Sequence, residues 1–362
     1  MNKKNHIYVD IHVLQTVPPS CVNRDDTGSP KTAVYGGVRR ARVSSQAWKR
    51  AVRMRFREMY EPEELAQRTK LVVQKVGAQI SMIRPDVDAE KLAADVLKKA
   101  GLSFKEKKGS SDDESSSVLF FMSDAQAKEL AKLAVSDPAR KEAKEVADMY
   151  KQALKDNPSV DQALFGRMVA SDPSMNYDAS AQVAHAISTH SIQNEFDYFT
   201  AVDDLSPEDT AGAGHLGTVE FNSSTLYRYA TVNVTELAGY LGEAAPQAIR
   251  NFIDAFVCSM PTGKQNTFAN RTLPEAVYVT VRKDQPINLA GAFEQPVRAD
   301  ECGGYGAPSC KRLAEYAQKT YADYTAGPEK AWVIGMVLPD AEKLPLPKLL
   351  EAVESFIKTE TE

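Results

Sequence analysis

Three segments of this chain alternate apolar and polar residues with a period of two, and no other feature restricts the fold as much. In His6–Leu14, Ile7, Val9, Ile11 and Val13 face one way and His6, Tyr8, Asp10 and His12 the other. In 277–282, Val277, Val279 and Val281 oppose Tyr278, Thr280 and Arg282. In 225–234, Leu226, Ala230, Val232 and Val234 oppose Tyr227, Tyr229, Thr231 and Asn233, with Arg228 interrupting the apolar side. Such a period marks strands with one buried face. Residues 217–222 (GTVEFN) read as a further strand, which Asn222-Ser223-Ser224 would turn back into 225–234. A sheet with one apolar face and one polar, tyrosine-bearing face predicts helices on one side and a ligand on the other.

Two amphipathic helices are available to cover the apolar face. On a wheel at about 100° per residue, Ala51, Val52, Phe56 and Met59 share a side with Trp48, while Lys49, Arg50, Arg53 and Arg57 form a continuous basic stripe. Arg55 falls on the apolar side, where only a snorkelling stem accounts for it. The second helix, about 246–260, has Ile249, Phe252, Ile253, Phe256 and Met260 at helical spacing and Pro246 in its first turn. Strand, helix, insertion, strand, strand, helix, strand is the order of a split βαβ, or ferredoxin-like, arrangement. The insertion, roughly 60–165, is rich in Ala, Lys, Glu and Leu and predicts helices near 62–80, 88–100, 123–135 and 139–156. Lys105–Ser117 (KEKKGSSDDESSS) has the composition of a mobile loop. The last third predicts a helix near 309–325, a strand at 332–338 and a helix near 346–358.

The strongest functional signal lies in residues 20–57. Ten basic residues (Arg24, Lys31, Arg39, Arg40, Arg42, Lys49, Arg50, Arg53, Arg55, Arg57) stand there against Asp25 and Asp26, in a chain whose net charge is −5. A local excess of positive charge in an acidic protein is the footprint of a polyanion site. The segment runs from a loop into a helix. Ser44, Ser45 and Gln46 at the helix start would cradle a phosphate, and the arginines before and along the helix would extend that cradle down a nucleic-acid backbone. Gly36-Gly37 would let the main chain approach closely. The competing reading is a solvated basic helix face with no ligand. A second feature is Phe196, Tyr198 and Phe199 on a predicted protrusion, His190–Gly217. Exposed rings there would stack on bases, or serve as the arm's own small core or an oligomer contact.

Other function classes fit less well. No Walker loop or GxSxG occurs. His185 and His190 are five apart and do not share a helix face. Cys21, Cys258, Cys302 and Cys310 form no CxxC, which argues for reduced thiols and against zinc. Apolar runs are far shorter than the roughly 18 residues of a membrane span, and the polar start, MNKKN followed by alternation, is unlike a signal peptide. Adjacent carboxylates at Asp25-Asp26 are more often turn residues than a metal or catalytic pair.

At these residues the chain closely resembles the CasC family, the backbone subunits of the type I-E CRISPR effector complex, Cascade. The segments that carry the resemblance are IHVLQTVPPSCVNRDD, VYGGVRRARVSSQAWKRAVR, LFGRM (164–168), AQVAHAISTH (181–190), DYFTAVDDL (197–205), GHLGTVEFNSSTLYRYATVN (214–233) and PTGKQNTFA (261–269), about half the chain. The resemblance implies an α+β, hand-like protein: a ferredoxin-like (RRM-like) antiparallel palm sheet, a large helical fingers insertion and a protruding thumb loop. The segments would be palm 1–59, fingers 60–165, palm 166–189, thumb 190–217, palm 218–300, and a C-terminal part 301–362 packing on the palm.

By the same resemblance the protein would be a cytoplasmic, non-enzymatic subunit with no cofactor and no metal. It would polymerise along a CRISPR RNA, hold its phosphates and present its bases to target DNA, beside further copies of itself and other Cascade subunits. Arg24, Lys31, Arg39, Arg40, Arg42, Ser44, Gln46, Lys49, Arg50, Arg53 and Lys264 would contact the guide. Met168 would wedge between bases, Tyr198, Phe199 and Thr200 would meet the displaced base, and Lys141 and Lys144 would touch DNA. Backbone subunits of type III complexes carry a catalytic loop acid, so a metal-dependent ribonuclease using Asp25 or Asp26 is the alternative. A solitary RNA-binding protein whose thumb packs internally is a third reading.

Overall fold

The computed structural model describes residues 6–102, 119–136, 143–169, 172–200, 216–301, 303–338 and 340–361. In chain order the elements begin with β1 (Tyr8–Ser20), β2 (Thr32–Tyr35), β3 (Val38–Val43) and α1 (Ser45–Phe56). There follow β4 (Gln67–Thr69), α2 (Val72–Ile83), α3 (Ala89–Lys99), β5 (Phe120–Met122), α4 (Asp124–Val135), α5 (Ala143–Lys155) and α6 (Val160–Phe165). Next come β6 (Ala181–Val183), β7 (Ala186–Ser188), β8 (Glu195–Thr200), β9 (Leu216–Asn233), α7 (Val234–Leu241), α8 (Ala245–Cys258) and α9 (Gln265–Phe268). The chain ends with β10 (Ala276–Arg282), α10 (Gly306–Tyr324), β11 (Lys330–Ile334), β12 (Glu342–Lys343) and α11 (Leu346–Thr361). Two compact units result. One gathers Met1–Arg55, Val183–Thr235 and Ile249–Glu362, the other Phe56–Gln182 and Glu236–Ala248.

The first unit is built on a large sheet ordered β12-β11-β10-β1-β9-β7-β3-β2. Its pairings are antiparallel except β11 with β12. Central β1 sets Val9, Ile11 and Val13 opposite Val281, Val279 and Val277 of β10, all on one buried face. Trp48 and Val52 of α1, Ile249, Phe252 and Phe256 of α8, and Leu349, Val353 and Ile357 of α11 are likewise buried. The 3.6-residue spacing of these apolar positions is what makes each helix one-sided.

The tyrosine-bearing face departs from expectation: it is covered rather than open to a ligand. Tyr227, Tyr229 and Tyr278 pack into one buried cluster with Leu289, Phe293, Leu313 and Ala317, contributed by the turn Leu289–Phe293 and by α10. Burial of hydroxyls costs free energy unless they are hydrogen-bonded. Here Tyr229 donates to Asp10 Oδ1 at 2.9 Å, and Tyr227 Oη lies 2.8 Å from His12 Nδ1 and accepts from the Leu289 N–H at 3.1 Å. The alternation was read correctly as a strand, but polar residues with internal partners do not mark a solvent face.

A second departure concerns 217–234. Asn222-Ser223-Ser224 make no turn: β9 is a single 18-residue strand that pairs first with β8 and then with β1. Asn222 and Ser224 are buried where the register with β1 shifts between Val17 and Ser20, and Asn222 Nδ2 donates to Asn194 Oδ1 at 3.2 Å. Turn-forming residue types sit at a bulge here, which breaks the ladder without reversing the chain.

The second unit packs α2, α3, α4 and α5 around Val72, Val76, Ile80, Leu97, Leu130, Tyr150 and Leu154. Asp88 caps α3 by accepting from the Lys91 N–H, and Ser123 and Gln126 form a capping box on α4. The helix expected at 62–80 starts only at Val72; before it lie a short 3-10 turn at Pro62–Glu64 and β4, which pairs with β5. Buried Arg167 closes the unit, donating to Leu154 O at 2.8 Å and Met175 O at 2.9 Å while stacking on Phe120 and Tyr177. The 105–117 loop lies outside the described residues.

Candidate nucleic-acid interface

The segment expected as a loop before α1 is a β-hairpin. Val34 pairs with Arg39 and Tyr35 with Val38, so Gly36-Gly37 form a two-residue turn with φ of +59° and +78°. Positive φ at both central residues matches the strand twist and favours glycine. A Cβ on Gly36 would collide with the carbonyl of Glu294, so this glycine is used to pack the turn rather than to admit a ligand.

Strand alternation sets Arg39 on the opposite face of β3 from Arg40 and Arg42. Arg39 is exposed and Arg42 half-buried, but Arg40 is 0 % exposed. Its guanidinium donates to Tyr35 O (3.1 Å), Ser188 O (3.0 Å), Phe293 O (2.8 Å) and Glu294 O (3.1 Å). Arg40 is therefore an internal clamp and is corrected out of the contact set. Arg42 Nε donates to Thr32 O at 3.2 Å, and Nη1 lies 3.3 Å from His185 Nδ1, which holds its head beside the loop.

Ser44 is also corrected. It is buried, its N–H donates to Asn23 Oδ1 at 2.9 Å, and its Oγ accepts from the Ala47 N–H at 3.3 Å. The hydroxyl caps α1 from this buried position. Gln46 and Arg50 are exposed, and Lys49 and Arg53 half-buried, along the side of α1 away from Trp48.

The loop 23–31 is tied to this helix start. Arg24 bridges Pro30, and the Lys31 N–H donates to Asn23 O at 2.8 Å. Asp25 Oδ1 accepts from the Thr27 hydroxyl (2.7 Å), the Thr27 N–H (3.0 Å) and the Ser29 N–H (3.0 Å), bonds that hold its carboxyl below the ordinary range. Lys264, far along the chain, joins the loop. Gly263 packs on the backbone of Val22, and burial raises the Cys21 thiol while the nearby charges of Arg24 and Lys264 lower it. Lys264 itself has φ +47°, a strained conformation for a side-chain-bearing residue. Thus Arg24, Lys31 and Lys264 gather at one loop cluster, and Lys49, Arg50 and Arg53 on the adjoining helix.

The protrusion is a two-stranded ribbon over the described residues 195–200 and 216–221. Tyr198 is 69 % exposed and Phe199 51 %. Successive strand residues point to opposite faces, so Tyr198 and Phe199 cannot meet the same base from one side. Phe199 folds over Gly217, where a Cβ would strike its ring. Phe196 is 68 % exposed on the same face as Tyr198 and Thr200. Period-two reading of EFDYFT would have paired them. In the second unit Met168 is 84 % exposed and Lys144 is exposed; Lys141 lies outside the described residues.

These features define a mixed α and β protein with a large, mainly antiparallel sheet and a basic helix-and-loop surface. The chain belongs to the CT1975-like protein family, whose pattern matches residues 9–357. No curated protein matches it. Among solved structures it is similar to a chain of a CRISPR RNA-guided surveillance complex in a pre-nicking state, with 34 % identity and a TM-score of 0.80 over 97 % of this chain and 100 % of that one. A chain of another CRISPR RNA-guided surveillance complex matches at 29 % identity and TM-score 0.62, covering 96 % and 99 %. No described helix is long and apolar enough to cross a membrane.

Proposed function

We propose that this chain is a CRISPR-RNA-binding backbone subunit of a type I-E surveillance complex, a non-catalytic scaffold that assembles in several copies along the guide. The observation that carries the reading is the run of cations from the 24–31 loop along the outer side of α1, in a chain of net charge −5 and similar to surveillance-complex chains. Arg24, Lys31, Arg39, Arg42, Gln46, Lys49, Arg50, Arg53 and Lys264 hold phosphates, and Tyr198 with Phe196 meets a base. Target DNA is read by guide pairing, not by side chains. The chain order β1, α1, β9, α8, β10, with β1 between β9 and β10, supports a ferredoxin-like palm. The cytoplasm is where such a complex acts. A scaffold-only role is supported by Asp25, whose Oδ1 is occupied by three donors of its own turn.

The test is binding of unrelated guide RNAs across salt. Reversing charge at Lys49 and Arg53 should weaken all guides about equally and lower the salt slope by roughly one per lost phosphate contact; loss limited to one guide refutes the reading. The scaffold-only part is tested by incubating the complex with complementary RNA and magnesium or manganese. Cleavage that Asp25→Ala or Asp26→Ala abolishes would make the protein a nuclease.

A further inference from the structure

Arg228 interrupts the apolar run Leu226, Ala230 and Val232 on the buried side of β9, and its surroundings give that break a purpose. Opposite Val13 in the ladder, it points to the face covered by α1 and α8 and is only 1 % exposed. Its guanidinium carbon lies 3.7 Å from the ring centroid of Trp48 on α1 and 4.6 Å from that of Phe256 on α8. Nη1 donates to Gln15 Oε1 at 2.6 Å, and Nη2 donates to Phe256 O. Gln15 is itself oriented, because its Nε2 donates to Thr272 O at 2.8 Å and Thr272 Oγ1 at 3.2 Å. Among the described residues no carboxylate pairs with Arg228.

A buried cation without a counter-ion is costly. Apolar packing of a helix on a sheet would be served equally well by Leu or Met at this position. What the guanidinium adds is direction. It is planar, so it stacks on an indole face in one orientation while its fork is held by fixed acceptors. Trp48 is followed directly by Lys49 and Arg50 and lies on the opposite side of α1 from Arg53. The rotation of α1 about its axis, and with it the direction of those cations, is thereby set from inside the sheet. The charge also adds positive potential beneath the helix without being screened by solvent.

The geometry points to Arg228 as the positioning residue of the phosphate-binding helix, acting through Trp48 without touching the nucleic acid. The inference rests on the function proposed above. It is tested with the full chain carrying Arg228→Met, which keeps apolar volume, and Arg228→Lys, which keeps the charge. In the RNA-free protein, hydrogen exchange at amides 48–54 should rise at least tenfold in Arg228→Met and return most of the way in Arg228→Lys. With guide-length RNA at about 0.15 M salt, Arg228→Met should bind at least tenfold more weakly with a salt slope lower by roughly one, and Arg228→Lys should recover part of both.

A purely structural role would lower the melting temperature but leave the slope of the folded fraction unchanged; that result, or wild-type exchange at 48–54 in folded Arg228→Met, overturns the inference. If the wild-type chain binds no RNA while the exchange effect is present, the proposed function falls and the positioning of α1 stands. Should Arg228→Met not fold, Arg228→Lys and Trp48→Phe are combined in a double-mutant cycle. Additive effects on the exchange of 48–54 then overturn the coupling, and non-additive effects support it.

Discussion

The imidazole of His190 lies flat on the ring of Tyr305, centroids 3.6 Å apart and planes 10° apart. Its two nitrogens have different duties: Nδ1 donates to Ser191 O at 2.9 Å, and Nε2 accepts from the Thr225 N–H at 3.1 Å. Only the neutral ring protonated on Nδ1 satisfies both, and burial pushes its pKa down accordingly. The contact fastens β9 just after its ribbon segment, which forms the protrusion.

His190→Phe keeps the stack but strands the Thr225 N–H. A buried donor without a partner costs about 1–3 kcal/mol, so the variant should melt several degrees lower in a thermal scan. His190→Gln, whose side chain offers both a donor and an acceptor, should fall between it and the wild type. An unchanged melting temperature in His190→Phe would show that the hydrogen bonds contribute nothing beyond stacking.

The covered tyrosine face makes stability depend on pH through two residues of opposite sign. Burial pushes His12 from 6.5 down to about 3, so its contribution is present above 6.5 and lost as pH falls toward 3. Burial pushes Asp10 from 3.8 up to about 6 despite its hydrogen bonds, so its contribution is lost as pH rises from 3.8 through 6 and regained on acidification. Between 6 and 3.8 the two oppose each other. In His12→Asn the His12 part of the acid loss should vanish, and chemical denaturation should show a shallower loss of stability than in the wild type as pH is lowered from 6.5 to 4. A variant that loses stability there as steeply as wild type would exclude His12 as the titrating group.

Gly36 and Gly37 separate two costs of a side chain in a tight turn. Both have positive φ, but only Gly36 sits against a carbonyl, that of Glu294, while a Cβ on Gly37 meets open space. Gly37→Ala should cost about 1–2 kcal/mol, the left-handed penalty alone. Gly36→Ala should cost more and should weaken RNA binding as well, because the hairpin carries Arg39. Equal denaturation midpoints for the two variants would contradict this packing.

The ribbon aromatics should act by face. Phe196 and Tyr198 are on one side, and alanine at both should impair RNA-dependent assembly while the monomer melts as wild type; stacking is worth about 1–3 kcal/mol per base. Phe199 covers Gly217, so Phe199→Ala should act mainly by loosening the ribbon, visible as faster hydrogen exchange at 216–221 before any RNA is added. An assembly defect confined to Phe199→Ala, with normal exchange, would assign the base contact to the other face.

Period decided what could be read from residue order alone. Alternation in 6–14 and 277–282 marked β1 and β10, and helical spacing of Trp48, Val52 and Phe56 marked α1 and its basic side, because both depend only on neighbours within a few residues. The cations of 20–57 were visible for the same reason. Which of them face outward was not. Arg40 differs from Arg39 only by strand parity, and its four carbonyl partners come from residues up to 254 positions away. Lys264 joined the loop of Arg24 through a turn that no local pattern announces.

The tyrosine face shows the same division. Its polar residues were legible as one side of a sheet, but their burial required α10 and the Leu289–Phe293 turn to close over them. By itself the sequence determined the strands, the helices and the concentration of charge, which arise from short-range periodicity and composition. Tertiary structure alone decided which polar groups are spent on internal partners and which remain for a ligand, because a hydrogen bond or a stacked ring such as Arg228 on Trp48 is set by distance in space and not by separation along the chain.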